Sequence, residues 1–599
     1  MALRIEDYAI IGNTGTAAMV GRDGSIPWLC MPRFDSPACF AELVGGPDNG
    51  HWTIAPANRQ MSVRREYREG TLLLDTIFES ESGAVTLTDF MPIADRQDRA
   101  DVIRVVRGIS GSVEMRMSAR FRFDYGRVVP WVRRHGAVLT AIAGPDALAL
   151  RTPVPLRNRN FATEAEFTVS AGDTVAFTLT WYPSHQAIPR LNNPLNLMSA
   201  TETWWREWSA RCAIQGPWRA PALRSLITLK ALTYAPTGGI VAAPTAGLPE
   251  SIGGARNWDY RYCWLRDATF TLYALLTSGY TEEARAWREW LLRAAAGRPE
   301  ELQIMYGIAG ERRLAEWEAP WLAGYENSRP VRIGNAAHEQ FQLDVYGEVM
   351  DAFHFSRRKK LGEPHEAWRL EEKLMDFLES AWERPDDGIW EVRGVRRHFT
   401  HSKVMAWVAA DRAVKAIESA GLSGPVERWR ALRDRIHRDV CKHGFNPARN
   451  AFVQYYGADA LDAAVLMIPL VGFLPAHDPR VAGTVEAIRR ELMRDGMVMR
   501  YRPERTVDGL AGGEGVFLPC SFWFADNLAL AGRQEEAGEM FDRLKALCND
   551  VGLLSEEYDP GAGRMLGNFP QALTHVAMLN TIHNLMLAEG PAFHRASPQ

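Results

Sequence analysis

The chain has 599 residues, of which 46% are apolar and 24% are charged, and its net charge is −4. This composition is typical of a folded globular protein of several domains, and the absence of a basic stripe excludes a nucleic-acid-binding or anionic-membrane-binding surface of the usual kind. The seven cysteines are scattered and form no Cys/His cluster at zinc spacing, so we expect reduced thiols and no metal site. The start has no basic segment followed by an apolar one, and no stretch is apolar enough to span a bilayer, so we expect a cytoplasmic protein.

Residues 1–190 are predicted to form an antiparallel β-sandwich domain. Runs that alternate apolar and polar residues, such as 71–93 and 101–126, are separated by Ser-Gly and Gly-Pro-Asp turns. Short alternating strands with regular turn signals are characteristic of sandwiches.

The period of the pattern changes near residue 190. Residues 191–218 predict a linker helix, and residues 219–599 a helical domain with apolar residues at i, i+3 and i+4. We expect about twelve helices there, starting near 220, 265, 281, 336, 363, 400, 424, 458, 480, 518, 533 and 571. Paired as six hairpins, these helices would close into an (α/α)6 barrel.

Aromatic and charged residues are concentrated before the second of these helices, in RNWDYRYCWLRDATF (256–270). An acid such as Asp267 in a first helical turn is explained by the helix dipole alone, but the dipole does not explain the surrounding cluster. An Arg-Asp pair beside a tryptophan, here Arg266, Asp267 and Trp264, is suited to gripping sugar hydroxyls. The twenty tryptophans of the chain fit either sugar stacking or a large aromatic core.

Two further segments carry candidate acids. Glu391 follows Trp390 in IWEVRG; a carboxyl group packed on an indole is desolvated, which suits a general acid, while the plain alternative is a solvated glutamate in a turn. Glu556 and Glu557 are adjacent in LLSEEYDP (553–560), a pattern that on its own is more typical of a solvated face. Since Glu391 and Glu556 are 165 positions apart, the sequence does not show whether they face each other.

Other chemistries have weaker support. The glycine-rich segment around Arg500 and Glu514 lacks the Gly-Lys-Ser/Thr of a phosphate loop, and the chain has no G-x-S-x-G nucleophile motif. His398 and His401 lack a partner at metal-binding spacing, so we expect structural roles for both.

Together the quoted motifs, with the opening IEDYAIIGNTGTAAMVGRDGSIPWLCMPRFDSP, resemble glycoside hydrolase family 15, the glucoamylase-like enzymes, in their two-domain bacterial and archaeal form. The resemblance covers nearly the whole chain, and it implies a β-sandwich followed by an (α/α)6 barrel. Tyr260, Tyr262, Trp264, Arg266 and Asp267 match one of the family's runs, which implies substrate-binding roles for Tyr260, Trp264, Arg266 and Asp267. In that run the Arg-Asp pair holds the non-reducing glucose, and the first tyrosine helps to place the attacking water.

The resemblance further implies that Glu391 is the general acid and Glu556 the general base of a single inverting displacement, with no metal or organic cofactor. Three substrate contacts are implied beside them, by Trp390, Glu557 and, on a looser match to an Arg-Tyr pair, Arg500. Two departures stand out. Val392 replaces a second family glutamate, so that sugar contact is lost or supplied elsewhere, and Glu557 replaces a family glutamine.

The implied substrate is a small α-glucoside. Members of this group include trehalases, glucoamylases and isomaltose hydrolases; we favour trehalose. A disaccharide phosphorylase and a catalytically silent sugar-binding protein stay open as alternatives, as does a monomer or a homo-oligomer. The loop 12–36, with Trp28, Arg33 and Asp35, would either reach the pocket and select the leaving sugar or lie in a domain interface.

Overall fold

The N-terminal domain is mostly β, as predicted, in a computed structural model that describes residues 2–58, 60–93, 98–190, 192–363, 365–503, 508–510, 512–586, 590 and 595. Neighbouring strands run antiparallel throughout the described part of this domain. Its strands are β1 (Tyr8–Gly12), β2 (Ala17–Gly21), β3 (Ser25–Ile26), β4 (Trp28–Cys30), β5 (Ala38–Ala41), β6 (His51–Pro56), β7 (Ser62–Tyr67), β8 (Leu74–Ser80), β9 (Gly83–Phe90), β10 (Ala100–Arg120), β11 (Trp131–His135), β12 (Val138–Ala143), β13 (Asp146–Arg151), β14 (Arg157–Arg159), β15 (Ala162–Ser170) and β16 (Thr174–Pro183).

Strand β10 joins two layers of this domain because it is 21 residues long. Its first half pairs with β9 and β16, and its second half pairs with β6 and β15. The register shifts between Gly108 and Ser110, where a bulge redirects the strand from one set of partners to the other. Strands β1, β2, β4 and β5 form a separate four-stranded sheet.

The rest of the described chain contains thirteen α-helices. The first leads out of the β domain; Asn193 caps its N-terminus, and Pro194 occupies its first position. The helices are α1 (Pro194–Ala210), α2 (Arg219–Ala231), α3 (Ala268–Thr277), α4 (Thr281–Ala295), α5 (Asp344–Arg358), α6 (Trp368–Ala381), α7 (Thr400–Ala420), α8 (Val426–His443), α9 (Met467–Leu470), α10 (Pro479–Glu491), α11 (Leu518–Leu530), α12 (Gln534–Lys545) and α13 (Ala572–Met586).

Helices α3, α5, α7, α11 and α13 are buried over most of their length and supply much of the core, while α4, α6, α8, α10 and α12 bury one face. Short strands connect them, in two-stranded sheets except for the three-stranded sheet of the last three: β17 (Thr233–Tyr234), β18 (Gly239–Ile240), β19 (Ala246–Pro249), β20 (Asn257–Asp259), β21 (Cys263–Trp264), β22 (Met305–Tyr306), β23 (Trp317–Glu318), β24 (Arg332–Ile333), β25 (Phe445–Asn446), β26 (Ala451–Phe452), β27 (Met493–Arg494), β28 (Met497–Val498), β29 (Val516–Phe517), β30 (Glu557–Asp559) and β31 (Arg564–Leu566).

Two helix starts differ from the sequence prediction. The helix expected near residue 336 begins at Asp344, after a short 3-10 turn over Ala336–Glu339 that the Asn335 side chain caps. The helix expected near 458 is a 3-10 turn over Ala463–Leu466 followed by the single turn of α9, since Asp462 caps the turn only at that point. Among the helices that the structure describes, none has both the length and the apolarity that a bilayer crossing requires.

Candidate active site

One pocket is lined by the segments that lead into the first turns of α3, α7, α11 and α13. The sequence therefore brings together side chains from four distant places at one end of the helical domain. The lining residues are Glu250, Arg256, Trp258, Tyr260, Arg266, Ile389, Trp390, Glu391, Arg393, Arg500, Tyr501, Leu510, Phe517 and Gln571.

Glu391 is the partly exposed acid of this pocket. Its Oε1 accepts a hydrogen bond from the indole N–H of Trp264 at 2.7 Å, and Nη1 of Arg266 lies 3.7 Å from the same oxygen. The backbone of Glu391 has a φ of 57°, an uncommon left-handed conformation that costs free energy for a residue with a side chain. The turn thus holds the carboxyl group towards the pocket at an energetic cost.

Glu556 is the buried acid, with a solvent exposure of 0%. Its Oε2 accepts the backbone N–H of Asn568 at 3.0 Å, while its Oε1 has no hydrogen-bond partner in the described structure. Burial raises the pKa of Glu556, and the neighbouring Tyr260 hydroxyl and Asn568 N–H oppose that rise. Burial, and next the charge of Glu556, raise the pKa of Tyr260, so the phenol faces this carboxyl group in its protonated form.

Three more buried glutamates surround Arg500. Its Nη2 lies 3.2 Å from Oε2 of Glu250, 3.2 Å from Oε1 of Glu557 and 2.6 Å from Oε2 of Glu514. Burial raises the pKa of Glu250 to about 8, and burial together with the charge of Glu250 raises the pKa of Glu557 well above its ordinary value. Nη1 of Arg256 also lies 2.9 Å from Oε2 of Glu514, and its Nη2 pairs with Asp508 at 2.8 Å. Two guanidinium groups do not balance three glutamates and an aspartate, so this cluster retains a proton at neutral pH.

Carboxylate oxygens of Glu250, Glu556 and Glu557 lie within 4.8 Å of one another, a spacing at which such groups hold cations. Two of the three already face Nη2 of Arg500, which supplies the positive charge that a metal would bring. The arrangement therefore does not call for a metal ion, and the expectation of a metal-free site stays a prediction.

The remaining predicted residues lie close to the two acids. Arg266 donates from Nη1 to the Ile389 carbonyl at 2.6 Å, which ties the segment before α3 to the turn that carries Glu391. Oδ1 of Asp267, at the start of α3, lies 3.5 Å from Nε of Arg266, and neither of these buried atoms has a hydrogen-bond partner in the described structure. Trp390 donates its indole N–H to Asp462 at 2.8 Å.

Five of the nine predicted residues line the pocket: Tyr260, Arg266, Trp390, Glu391 and Arg500. The other four (Trp264, Asp267, Glu556 and Glu557) lie behind that lining. Both oxygens of Glu557 are occupied, Oε1 by Arg500 and Oε2 by the N–H of Gly515 at 2.8 Å, so Glu557 supports the lining where the sequence predicts a sugar contact.

Comparison with known proteins shows to which family the chain belongs. The sequence model of Glycosyl hydrolases family 15 matches residues 217–583, and that of a domain described as "Trehalase-like, N-terminal" matches residues 1–170. The chain belongs to Glycosyl hydrolases family 15.

Curated relatives of this family 15 chain include the trehalase of Mycobacterium tuberculosis, 38% identical over 98% of this chain and 90% of that protein. The trehalase of Thermoplasma volcanium is 35% identical over 97% of this chain and 93% of that protein. A solved structure titled bacterial glucoamylase complexed with acarbose is 12% identical, with a TM-score of 0.74 over 99% of this chain and 96% of that one. It shows the same overall fold, a mostly β N-terminal domain followed by a helical domain.

Sequence reasoning missed three charged residues that line the pocket of this family 15 chain: Glu250, Arg256 and Arg393. Glu250 follows β19 in the unremarkable run GLPESIGG, so no local signal marked it. Arg256 and Arg393 stand inside the quoted motifs 256–270 and IWEVRG, where an arginine near each predicted residue was a usable signal.

Proposed function

We propose that the protein is an α,α-trehalase, a glycoside hydrolase that splits trehalose into two molecules of glucose. The observation that carries the proposal is the placement of two acids beside Tyr260: Glu391, which lines the pocket and is partly exposed, and Glu556, which is fully buried behind the lining. Its second support is sequence identity of 35–38% to trehalases over nearly the full chain.

The proposed chemistry is a single inverting displacement. Glu391, which reaches the pocket, gives its proton to the glycosidic oxygen, so the leaving glucose departs neutral. Glu556, whose Oε1 has no protein partner in the described structure, takes a proton from the water that attacks C1 from the opposite face. An inverting pair leaves room for this water with roughly 6.5–9.5 Å between the carboxyl groups.

Arg266 and Asp267 would hold the non-reducing glucose at the closed end of the pocket. Oδ1 of Asp267 and Nε of Arg266 lie 3.5 Å apart and neither makes a hydrogen bond in the described structure, so they are an acceptor and a donor that sugar hydroxyls can satisfy. Tyr260, protonated and facing Glu556, would donate to or orient the attacking water.

The finer architecture is also our proposal: a β-sandwich over 1–190, a linker over 191–218 and a closed (α/α)6 barrel over 219–599. Support for closure comes from the contacts of the inner helices, since α3 packs on α5, α5 on α7, α7 on α9, α9 on α11, α11 on α13, and α13 back on α3. The cytoplasmic location and the oligomeric state stay predictions.

A panel of trehalose, isomaltose, maltose and soluble starch tests the function, with the anomer of the released glucose followed by proton NMR. We expect trehalose to be the best substrate and to give equal early amounts of β-glucose, from the attacked unit, and α-glucose, from the leaving unit. Early α-glucose alone would exclude inversion, a preference for maltose or starch would indicate a glucoamylase, and stoichiometric glucose 1-phosphate in phosphate buffer would indicate a phosphorylase.

A further inference from the structure

Arg393 lies at the outer part of the pocket, two residues after Glu391. Its side chain is 27% exposed, against 15% for Arg266, 8% for Arg500 and 3% for Arg256, the other arginines of the lining. Arg393 is therefore the arginine nearest the mouth. In a pocket that takes its substrate end-on, the closed end holds the non-reducing unit and the mouth holds the leaving unit.

The guanidinium of Arg393 is held rigidly. Its Nη1 and Nη2 donate to the two oxygens of Glu316 at 3.0 and 2.7 Å, and its Cζ lies 4.3 Å from the ring centroid of Trp258. The backbone N–H of Arg393 donates to the Asp508 carbonyl at 2.9 Å. Since a guanidinium carries five N–H groups and Glu316 engages two, donors remain in a fixed orientation for a ligand.

Val392 cannot make the sugar contact of the family glutamate that it replaces, and Arg393 is the next residue with a side chain in the pocket lining. The Val392 side chain is buried and does not line the pocket, so the residue directly after the acid offers no polar contact. Gln340 bonds the Glu391 and Val392 carbonyls at 3.1 Å, which fixes this turn so that the next side chain, Arg393, points along the pocket wall.

We propose that Arg393 determines specificity for the leaving sugar by donating hydrogen bonds to its hydroxyl oxygens. This inference rests on the proposed function, because it assumes that a glucose unit leaves through the mouth of the pocket. A rigid donor that is desolvated by a bound sugar discriminates strongly against a leaving group that lacks hydroxyls.

The chain offers a matched control in Arg332. The Cζ of Arg332 lies 4.6 Å from the centroid of the same Trp258 ring, and its Nε is 3.6 Å from Oε1 of the same Glu316. Arg332 does not line the pocket. Replacing either arginine removes one cation from the same tryptophan and the same carboxylate. Only the replacement of Arg393 also removes a hydrogen-bond donor from the pocket.

The experiment compares trehalose with α-D-glucosyl fluoride, whose leaving group is a fluoride ion without hydroxyls. For Arg393→Met we expect kcat/KM on trehalose to fall about 10- to 100-fold while kcat/KM on the fluoride stays within about threefold of the wild type. Arg332→Met should leave both values within about threefold.

Equal losses on both substrates in Arg393→Met would overturn the inference and assign Arg393 a structural role, as would unchanged values on both. A wild-type enzyme that hydrolyses the fluoride but releases no glucose from trehalose would instead overturn the proposed function. If Arg393→Met failed to fold, the same comparison made on Glu316→Gln, which frees the guanidinium, decides the question: a loss confined to trehalose supports the inference, and an equal loss contradicts it.

Discussion

The indole N–H of Trp264 donates to Oε1 of Glu391 across 127 positions of sequence at 2.7 Å. Trp264 belongs to the segment before α3 and Glu391 to the turn before α7, and Arg266 ties the same two segments together through the Ile389 carbonyl. Trp264 thus fixes the side chain of the proposed acid, and Arg266 fixes the backbone just before it. A proton donor held on two sides is already oriented before the substrate binds.

Trp264→Phe should lower kcat on trehalose about 10- to 100-fold with a small change in KM, because the phenyl ring fills the space but cannot orient Glu391. Steady-state kinetics measure the two constants. Trp290→Phe is the control, since it removes a buried indole bond, to the Ile308 carbonyl at 3.1 Å, outside the pocket. Equal kcat losses in the two variants would show that the Glu391 bond has no special effect.

Replacing the two acids should have different effects on a substrate whose leaving group needs no proton. We expect Glu391→Gln to lose about 10²- to 10⁴-fold of kcat on trehalose but to keep most activity on α-D-glucosyl fluoride, because fluoride leaves without general-acid help. Glu556→Gln should lose both activities, since both need an activated water. The opposite pattern would exchange the assigned roles, and full activity of both variants would remove the acids from the mechanism.

Much of this site was predictable because its signals are local. The Arg266–Asp267 pair, Trp390–Glu391 and Glu556 stand in short motifs, and apolar periodicity located the helix starts within a few residues at ten of twelve positions; the other two began 8 and 9 residues later. Glu250, Glu514 and Glu557 converge on Arg500 only through tertiary packing. Nothing in the sequence near any one of them indicates that it shares a guanidinium with the others, so the sequence predicts a sugar contact for Glu557 but not its place in this buried ion cluster.

Glu557→Gln should leave the acidic limb of the pH profile in place. Burial and the charge of Glu250 raise the pKa of Glu557 well above its ordinary value, so Glu557 is protonated in the acid range. Its replacement by glutamine therefore removes no charge from beside Glu556 in that range. The measurement is kcat/KM on trehalose against pH, with Glu366→Gln, an acid on the protein surface paired with Arg288, as the control. An acidic limb that moved to lower pH in Glu557→Gln alone would contradict the argument, because it would show a charged Glu557 beside the base.

The same cluster should make the fold less stable as pH rises. The pKa of Glu250 rises from 4.5 in the unfolded chain to about 8 in the fold, so between these pH values the folded state binds more protons than the unfolded state. The free energy of unfolding therefore falls with increasing pH through this window. Urea denaturation at pH 5 and pH 8 should show this fall, and Glu250→Gln should reduce it. A fall of equal size in the variant would mean that other buried acids cause it.

Arg261 connects this pocket to the β domain. It is fully buried between Tyr260 and Tyr262, pairs with Asp259 at 2.6 Å, and donates to the Ser36 carbonyl and the Tyr125 hydroxyl, both at 2.9 Å. The loop 12–36 does not line the pocket, since its contacts run to Arg261 and, from Trp28, to the Pro244 carbonyl. The N-terminal domain therefore holds Arg261 in place, and Arg261 is the residue directly after Tyr260, the tyrosine that faces Glu556.

Arg261→Met should lower both stability and kcat. Breaking the buried Arg261–Asp259 pair lowers the free energy of unfolding by about 3–5 kcal/mol. Loss of the hydrogen bonds from Arg261 to the β domain also lets Tyr260 move relative to Glu556. Arg104→Met is the matched control, because Arg104 is equally buried, pairs with Asp89 at 2.7 Å and lies under Trp52, entirely within the β domain. Urea denaturation should show similar losses in both variants, while kcat, measured well below the unfolding transition, should fall about tenfold or more only in Arg261→Met. An unchanged kcat in Arg261→Met would show that the β domain stabilises the helical domain without positioning its site.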